Sequence, residues 1–542
     1  MNHAKLLDCT LRDGAYLIDK KFGDTSIHGI VKGLMDTGID LIEIGFLQNE
    51  GFGEGKTVYK NSKDAEKYIP DEKNDTLFTV LADFSRYLVD NLDEYTGKSF
   101  DAVRACFFKK ERYEVIEFCK EVKKKGYKLF VQPVDILGYT DIELIEFIEL
   151  INSVEPYCFS IVDTFGSMYV EDLRRIYEII NHNLISDCHI GFHSHNNMQM
   201  SSALSQEFLR MTYGNRKAIV DSTISGMGRG AGNTPTELIA QYMVSKLGYN
   251  YDIDALLDVI DEYMDNIRSR CSWGYDTDYF IAGAYSAHVN NIAYLNKKNS
   301  IRYKDIRYIL NKIGAVPRKR YDYDLLENTY IDYLGSEIDD SEVIAELKKV
   351  FSGRNVVMIA PGKTAKTHSD EICKFVEEND SIVVTVNFMY ENVKSDFMYF
   401  SNVKRYQYWS NNKLANYVPK ILTSNVTSSP KANEKVVSFV NLVKCGWEHM
   451  DNSAILLLRL LDKLEVKSVA LAGLDGFDYQ LKASENYVNS DMELANINEE
   501  AILLNKEIKE MLKDFLVTKN GDEEIFFITP SRFDFIGREN ND

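Results

Sequence analysis

The sequence predicts an α/β protein: a closed (β/α)8 barrel of the TIM type with a helical extension, followed by a smaller Rossmann-like α/β domain. Three observations carry this expectation. The chain has 542 residues, more than one hydrophobic core organises. Residues 1–230 repeat one pattern eight times, a short apolar, β-branched run followed by a longer amphipathic segment. A second series of apolar runs starts near residue 355, after a polar, tyrosine-rich stretch.

The eight runs are KLLDCTL (5–11), LIEIGF (41–46), LFTVLAD (77–83), AVRACFF (102–108), KLFVQPVD (128–135), CFSIVDTFG (158–166), HIGFHSH (189–195) and AIVDSTISGMG (218–228). Between them, segments such as ERYEVIEFCKEVKKKG and DIELIEFIELINSV space apolar residues by three and four, the helical period. Gly38 and Gly126 fall where helix C-termini belong. An open doubly wound sheet more often stops at five to seven strands, so eight units favour closure. Residues 236–335 read as mainly helical, with a boundary in 335–352. The open sheet of the second domain is expected from NVVMIAPGKT (355–364), SIVVTVNF (381–388), SDFMYFSN (395–402), VKSVALAGLDGF (466–477) and EIFFITP (524–530). The domains expected are thus 1–285, 286–345 and 346–542.

Composition narrows the function. Hydrophobic residues make up 45% and the formal charge is −20. Such a surface repels nucleic acid and anionic lipid while leaving room for local basic pockets. No apolar run reaches the length of a membrane span, and MNHAKLLDCTLRDG lacks the pattern of a signal peptide. The eight cysteines contain no CxxC pair and read as reduced thiols of a cytoplasmic protein, with Cys9 a packing residue.

In a barrel the site forms at the C-terminal ends of the strands. There the first run delivers Arg12 and Asp13, the second Glu43, the fifth Gln132 and Asp135, the sixth Asp163, and the seventh His193 and His195. Residues i and i+2 of a strand share a face, so both imidazoles can reach one ion. Two histidines and a carboxylate, for which Asp13 is the candidate, leave coordination positions open for a chelating substrate. The eighth run enters GMGRGAGN (226–233), a loop that either binds phosphate through its amides or makes a tight turn. Asn233 offers a further oxygen. The same three-residue ligand set serves non-haem Fe(II) oxygenases, whose double-sheet folds the eight βα units argue against.

The motifs DCTLRDG (8–14), IEIGF (42–46), DTFG (163–166), GFHSHNN (191–197) and GRGAGNTPTE (228–237) occur in an order that resembles the metal-dependent aldolase and acyltransferase superfamily with a pyruvate-carboxyltransferase-type barrel. That group includes 4-hydroxy-2-oxovalerate aldolase, hydroxymethylglutaryl-CoA lyase and isopropylmalate synthase. The resemblance covers about the first 285 residues. It implies a divalent ion (manganese, magnesium, cobalt or zinc) on Asp13, His193 and His195, with Asn233 a fourth ligand, and Arg12 as the catalytic arginine. It also implies a tyrosine near the reacting groups at Tyr285, within AGAYSAH (282–288), and a homodimer. The aldolases carry histidine where this chain has Tyr16. The reaction implied is carbon–carbon lysis or aldol addition on a 2-oxo acid and an aldehyde, with Tyr16 or Tyr285 relaying a proton and Glu43 supporting the site. Alternatives are a Claisen-type acyl-CoA transfer and a binding module that has lost its chemistry.

In the C-terminal third, APGKT lacks the first glycine of a Walker A loop, since Val357 stands there. VVMIAPGKT, VTVNFMY and residues 451–479 resemble sialyltransferase-type Rossmann-like proteins of surface-glycan synthesis. That resemblance implies a nucleotide or nucleotide sugar near Gly362, Lys363, Asn387 and Asp475, with a purely structural domain as the alternative, and it hints at a sugar-derived aldehyde for the barrel.

Overall fold

The structure, a computed structural model, describes residues 4–533 apart from 299–300, 302, 335–337, 428–429, 445, 451, 479, 482 and 489–497. It divides into two compact units: residues 1–292 with 315–320, and 293–314 with 321–542. The helical stretch expected as an extension and linker is shared between them. No helix among the described residues is long and apolar enough to cross a membrane.

The first unit is a closed parallel barrel. Its strands are β1 (Lys5–Asp8), β2 (Leu41–Leu47), β3 (Val58–Tyr59), β4 (Leu77–Asp83), β5 (Ala102–Phe108), β6 (Lys128–Val134), β7 (Cys158–Asp163), β8 (His189–Ser194) and β9 (Ala218–Ser222). They run in the order β1-β9-β8-β7-β6-β5-β4-β2-β3, and a β1–β2 pairing closes the ring. The apolar runs form strands because β-branched and aromatic side chains fit a pleated surface covered on both faces. Leu7, Cys9, Leu41, Ala102, Phe130, Cys158 and Ile219 pack together as one buried cluster. The helices cover the outside; that over Asp24–Thr37 ends on Gly38 in the left-handed region (φ 84°), the C-terminus expected from sequence. Thr140 and Glu143 form a capping box at the start of the helix Asp141–Asn152.

Strands β6 and β8 stop one residue short of the runs that announced them, and three others stop well short. β1 ends at Asp8, β7 at Asp163 and β9 at Ser222, and the remainder of each run forms the active-face loops. The two-residue strand β3 was not expected. It docks where β2 bulges at Gly45 (φ 147°), since a Cβ there would lie 2.2 Å from the Thr57 carbonyl oxygen.

The second unit holds a parallel sheet of β10 (Asn355–Ile359), β11 (Ile382–Val386), β12 (Phe397–Phe400), β13 (Lys420–Thr423), β14 (Glu434–Val437), β15 (Ser468–Ala472) and β16 (Glu524–Phe527), in the order β14-β13-β12-β11-β10-β15-β16. The chain winds out one way from β10 and returns to its other side, the doubly wound pattern, with the switch point between β10 and β15. β13 and β14 were missed from sequence. Each is four residues long and sits in the polar stretch YVPKILTSNVTSSPKANEKVV, where the apolar pattern is too short to register.

Candidate metal centre

Beyond β1 the chain turns back on itself: the amides of Arg12 and Asp13 both donate to the Cys9 carbonyl, at 3.1 and 2.8 Å. This turn buries Arg12 and Asp13 at the barrel mouth. His193 lies on β8, and His195 follows one residue past its end. Asp13 Oδ2 sits 3.2 Å from His193 Nε2 and 3.8 Å from His195 Nε2. The two imidazole planes are nearly perpendicular, at 88°. Ligands roughly 2.1 Å from one ion lie about 3 Å apart at right angles, so Asp13 stands at coordination spacing from His193; the donors that all lie within 4.8 Å of one another are those of Cys9, Asp13 and His193, a set that does not include His195.

Two further observations test the fit of a metal. Asp13 Oδ2 and Asn233 Oδ1 are buried oxygens without a hydrogen bond, and Asn233 forms an isolated backbone bridge with His195. An oxygen- and imidazole-rich donor set suits a hard or borderline divalent cation. Cys9 places its sulfur within 4.8 Å of the Asp13 and His193 donors. Its thiol donates to the Ser222 carbonyl at 3.2 Å, and burial pushes its pKa well up, so it stays protonated.

The donors belong to a closed ring of buried charge. Arg12 NH1 contacts Asp13 at 3.3 Å, and Arg12 Nε donates to Glu43 Oε2 at 2.7 Å. Arg104 NH1 donates to the same Glu43 oxygen at 2.9 Å, while its NH2 donates to Asp221 Oδ2. Asp221 Oδ2 in turn meets His193 Nδ1 at 3.0 Å, which leaves Nε2 aimed at Asp13. Gln132, its amide oxygen turned to Arg104, accepts from that guanidinium at 2.9 and 3.1 Å. Burial works against the charged forms of Asp13 and Asp221. It is outweighed by Arg12, His195 and His193 for Asp13, and by Arg104 and His193 for Asp221, so both carboxylates titrate below their usual range. Burial likewise opposes a charged His193, but Asp13 and Asp221 lift its pKa. Burial pushes His195 down to about 4. With His193 neutral, the ring's two guanidiniums and three carboxylates carry one net negative charge. A divalent cation bound there would reverse that sign and would favour an anionic substrate.

Arg104 and Asp221 were not picked out from sequence. The signal was there: each is a charge inside an otherwise apolar strand run, AVRACFF and AIVDS, where an inward side chain must find a partner. Glu43 accepts from both arginines through Oε2 and is fully buried, which makes it the clamp that orients Arg12.

Tyr16 lies on the short turn Gly14–Ile18, at the rim, with its ring edge-on to Phe46 and Arg229 stacked 4.2 Å from its face. Burial raises its hydroxyl pKa in spite of Arg229 and Arg12. Tyr285 closes the helix Thr277–Ala284, with Arg318 5.4 Å from its ring. That helix rests on the loops after β7 and β8: a Cβ on Gly283 would come within 3.1 Å of both Asn197 Cβ and the Gly166 carbonyl oxygen. Asp163 accepts from the amides of Ser167 and Met168, so it braces its own loop, and burial pushes its pKa up to about 7. Asp135 pairs with Lys319 at 2.5 Å. In GMGRGAGN the tight-turn alternative holds for most amides: those of Gly226, Met227, Gly232 and Asn233 bond to nearby carbonyls, and that of Ala231 to Asn197.

In the second unit Gly362 and Lys363 follow β10, Asn387 follows β11 and Asp475 follows β15, at the C-terminal edge where such sheets bind ligands. Gly362 packs so closely that a Cβ would lie 2.3 Å from the Gly473 carbonyl oxygen and 2.6 Å from Asp475 Cγ. Part of this loop is engaged by the protein itself: the Gly362 amide donates to the Gly473 carbonyl at 2.8 Å, and the Thr364 amide (2.8 Å) and hydroxyl both donate to Asp475. Asn387 is left-handed (φ 60°) and donates to the Ser453 hydroxyl at 2.6 Å.

Fold and donor set together define the class. Residues 3–261 match the HMGL-like family model, and the barrel of this chain is an HMGL-like domain. Among similar proteins, the oxaloacetate decarboxylase of Mycobacterium tuberculosis is 28% identical over 288 residues, covering 50% of this chain and 79% of that protein. The 4-hydroxy-2-oxovalerate aldolase of Shewanella pealeana is 26% identical over 348 residues, 60% of this chain and 95% of that one. A solved N-terminal domain of a candidate aldolase from Bacteroides vulgatus aligns with 54% of this chain and 96% of its own at 22% identity, with a TM-score of 0.49. The two relatives named by sequence are thus a decarboxylase and an aldolase.

Proposed function

We propose that the barrel breaks or forms a carbon–carbon bond at the carbon adjacent to the keto group of a 2-oxo acid, leaving or using its enolate, on a divalent ion held by Asp13, His193, His195 and Asn233. The observation that carries this reading is the convergence of Asp13 Oδ2 on both imidazole Nε2 atoms, 3.2 and 3.8 Å away. The bound ion supplies Lewis-acid polarisation of the substrate carbonyl. Arg12, held at both ends by Glu43 and Asp13, presents a permanent positive charge beside the oxygen on which negative charge develops. Asp221 fixes the His193 tautomer and Arg104 fixes Asp221. Tyr16, kept as the neutral phenol by its raised pKa, donates a hydrogen bond or a proton at the rim. Tyr285 is the second hydroxyl on that side. The fused second unit is the support for a sugar-derived aldehyde as the acceptor.

Tyr16 also supports a second reading. Retro-aldol cleavage must remove a proton from a substrate hydroxyl, and a phenol with a raised pKa is a poor base. Decarboxylation of a 2-oxo diacid needs no such base, and a similar protein is an oxaloacetate decarboxylase.

Exchange of the pyruvate methyl protons for deuterium, followed by proton NMR, tests the step both readings share. Exchange should require added manganese or magnesium, and His193→Ala should lower it about 100-fold or more, the scale of a lost acid–base or electrostatic group, with the far-ultraviolet circular dichroism unchanged. Full exchange in chelator-stripped protein would remove the proposal.

A further inference from the structure

The loop after β1 and the loop after β9 each bring one cation to the barrel mouth that the reaction above leaves unused. Asp19 and Lys20 are consecutive non-glycine residues in the left-handed region, with φ of 49° and 62°. Each costs about 1 kcal/mol or more in backbone strain. The turn is held by three backbone hydrogen bonds: Lys20 to Ala15, Lys21 to Ile18, and Thr57 to Lys20. It sets Lys20 Nζ 5.2 Å over the Phe46 ring, with Gln48 Oε1 at 3.2 Å. Tyr16 packs edge-on against Phe46 at 5.3 Å, and the Arg229 guanidinium covers Tyr16 from the loop whose amides are mostly spent on the turn itself. Arg229 NH1 lies 3.5 Å from His288 Nε2.

Among the described residues, neither Lys20 nor Arg229 enters an ion pair with a carboxylate. The neighbouring cations do: Arg12 with Asp13 and Glu43, Lys56 with Asp19, and Arg86 with Asp83. In a chain with 83 acidic residues and a net charge of −20, two unmatched cations flanking one aromatic pair beside the candidate metal site form a local anion trap. The positive charges around it are mutually felt. Burial, with Arg86, Lys56 and Arg229, lowers the pKa of Lys20 against the opposing pull of Asp19, and burial with Arg229 keeps His288 neutral, its pKa near 4.

We propose that Lys20 and Arg229 form a second anion subsite, which holds a carboxylate or phosphate on the half of the substrate remote from the 2-oxo acid group. The acceptor aldehyde would then be an anionic one, its tail passing Tyr16 to reach the two cations. The inference deepens the aldol reading and rests on it for the identity of the reacting end, but the anion site can be measured without turnover.

Two measurements judge it, on the full chain with added magnesium. Calorimetric titration with inorganic phosphate should show binding that weakens about tenfold or more in Lys20→Met/Arg229→Met, the scale of a lost charge-assisted contact; Arg229→Lys should retain part of it. With pyruvate as donor, the ratio of kcat/KM for an anionic aldehyde to that for propanal should fall by a similar factor in the double variant. Glyceraldehyde 3-phosphate and succinic semialdehyde, run side by side, tell phosphate from carboxylate. Phosphate binding equal in wild type and double variant, or an unchanged aldehyde ratio, overturns the subsite. Absence of metal-dependent pyruvate exchange overturns the aldol reading instead, and the phosphate titration still decides the subsite.

Discussion

Replacing Arg104 with methionine removes a guanidinium that touches two carboxylates inside the barrel, Glu43 and Asp221. Its side chain is 0% exposed, as is Glu43, and Asp221 is 2% exposed. Methionine fills much of the volume and supplies no charge, so the cost is electrostatic. Breaking one buried pair by deleting a partner costs about 3–5 kcal/mol, because the remaining ion cannot be resolvated. Here two carboxylates lose a partner, but neither is stranded: Glu43 keeps Arg12 at 2.7 Å and Asp221 keeps His193 at 3.0 Å. The loss should therefore fall within about 3–5 kcal/mol and not double it. At about 1.4 kcal/mol per tenfold, that is roughly two to three and a half decades of protection. Amide hydrogen exchange under native conditions, read by mass spectrometry on peptides from β5, β8 and β9, isolates the barrel from the second unit. Adding Glu43→Gln or Asp221→Asn should return part of the protection, since each removes a negative charge that Arg104 had helped to neutralise. A change below about 1 kcal/mol in the single variant, within the range of an ordinary surface substitution, would refute the account of Arg104 as the neutralising centre of the ring.

Two other outcomes follow from the same geometry. Asp221→Asn should weaken manganese binding by about 10–100-fold, the usual effect of losing a partner that orients a ligand imidazole; competition with a fluorescent chelator measures it, and an unchanged affinity would show that Asp221 does not act through His193. His189, at the start of β8, is buried against Tyr157, and that burial pushes its pKa down to about 4. The unfolded chain takes up this proton near the ordinary value of about 6.5, so the stability that neutral His189 permits is present above about 6.5 and is lost as the pH falls toward 4, by up to about 1.4 kcal/mol per pH unit. His189→Asn should flatten the acid limb of the barrel's stability profile over that window, and identical acid limbs would count against the assignment.

Much of this protein was legible as sequence because it is local or periodic. Eight apolar runs at regular spacing are eight parallel strands, since only a surface covered on both sides calls for such residues throughout. The HxH pair needs nothing beyond the two-residue period of a strand to put both rings on one side, and the RDG turn that follows the first strand places Arg12 and Asp13 at the mouth. β13 and β14 escaped because four residues in a polar stretch do not establish a period.

What the tertiary structure decided was pairing. Arg104, Glu43 and Asp221 lie on three strands separated by 61 and 117 positions from Arg104, and no pattern along the chain says which inward charge meets which. The closing of the ring fixes those partners, because a buried charge is tolerated only where the fold delivers its opposite. The same holds at Gly362: sequence suggests a phosphate loop, and Asp475, 111 residues from Thr364, answers its donors. It holds in reverse at Lys20 and Arg229, which only three dimensions reveal as cations with no carboxylate ion pair among the described residues.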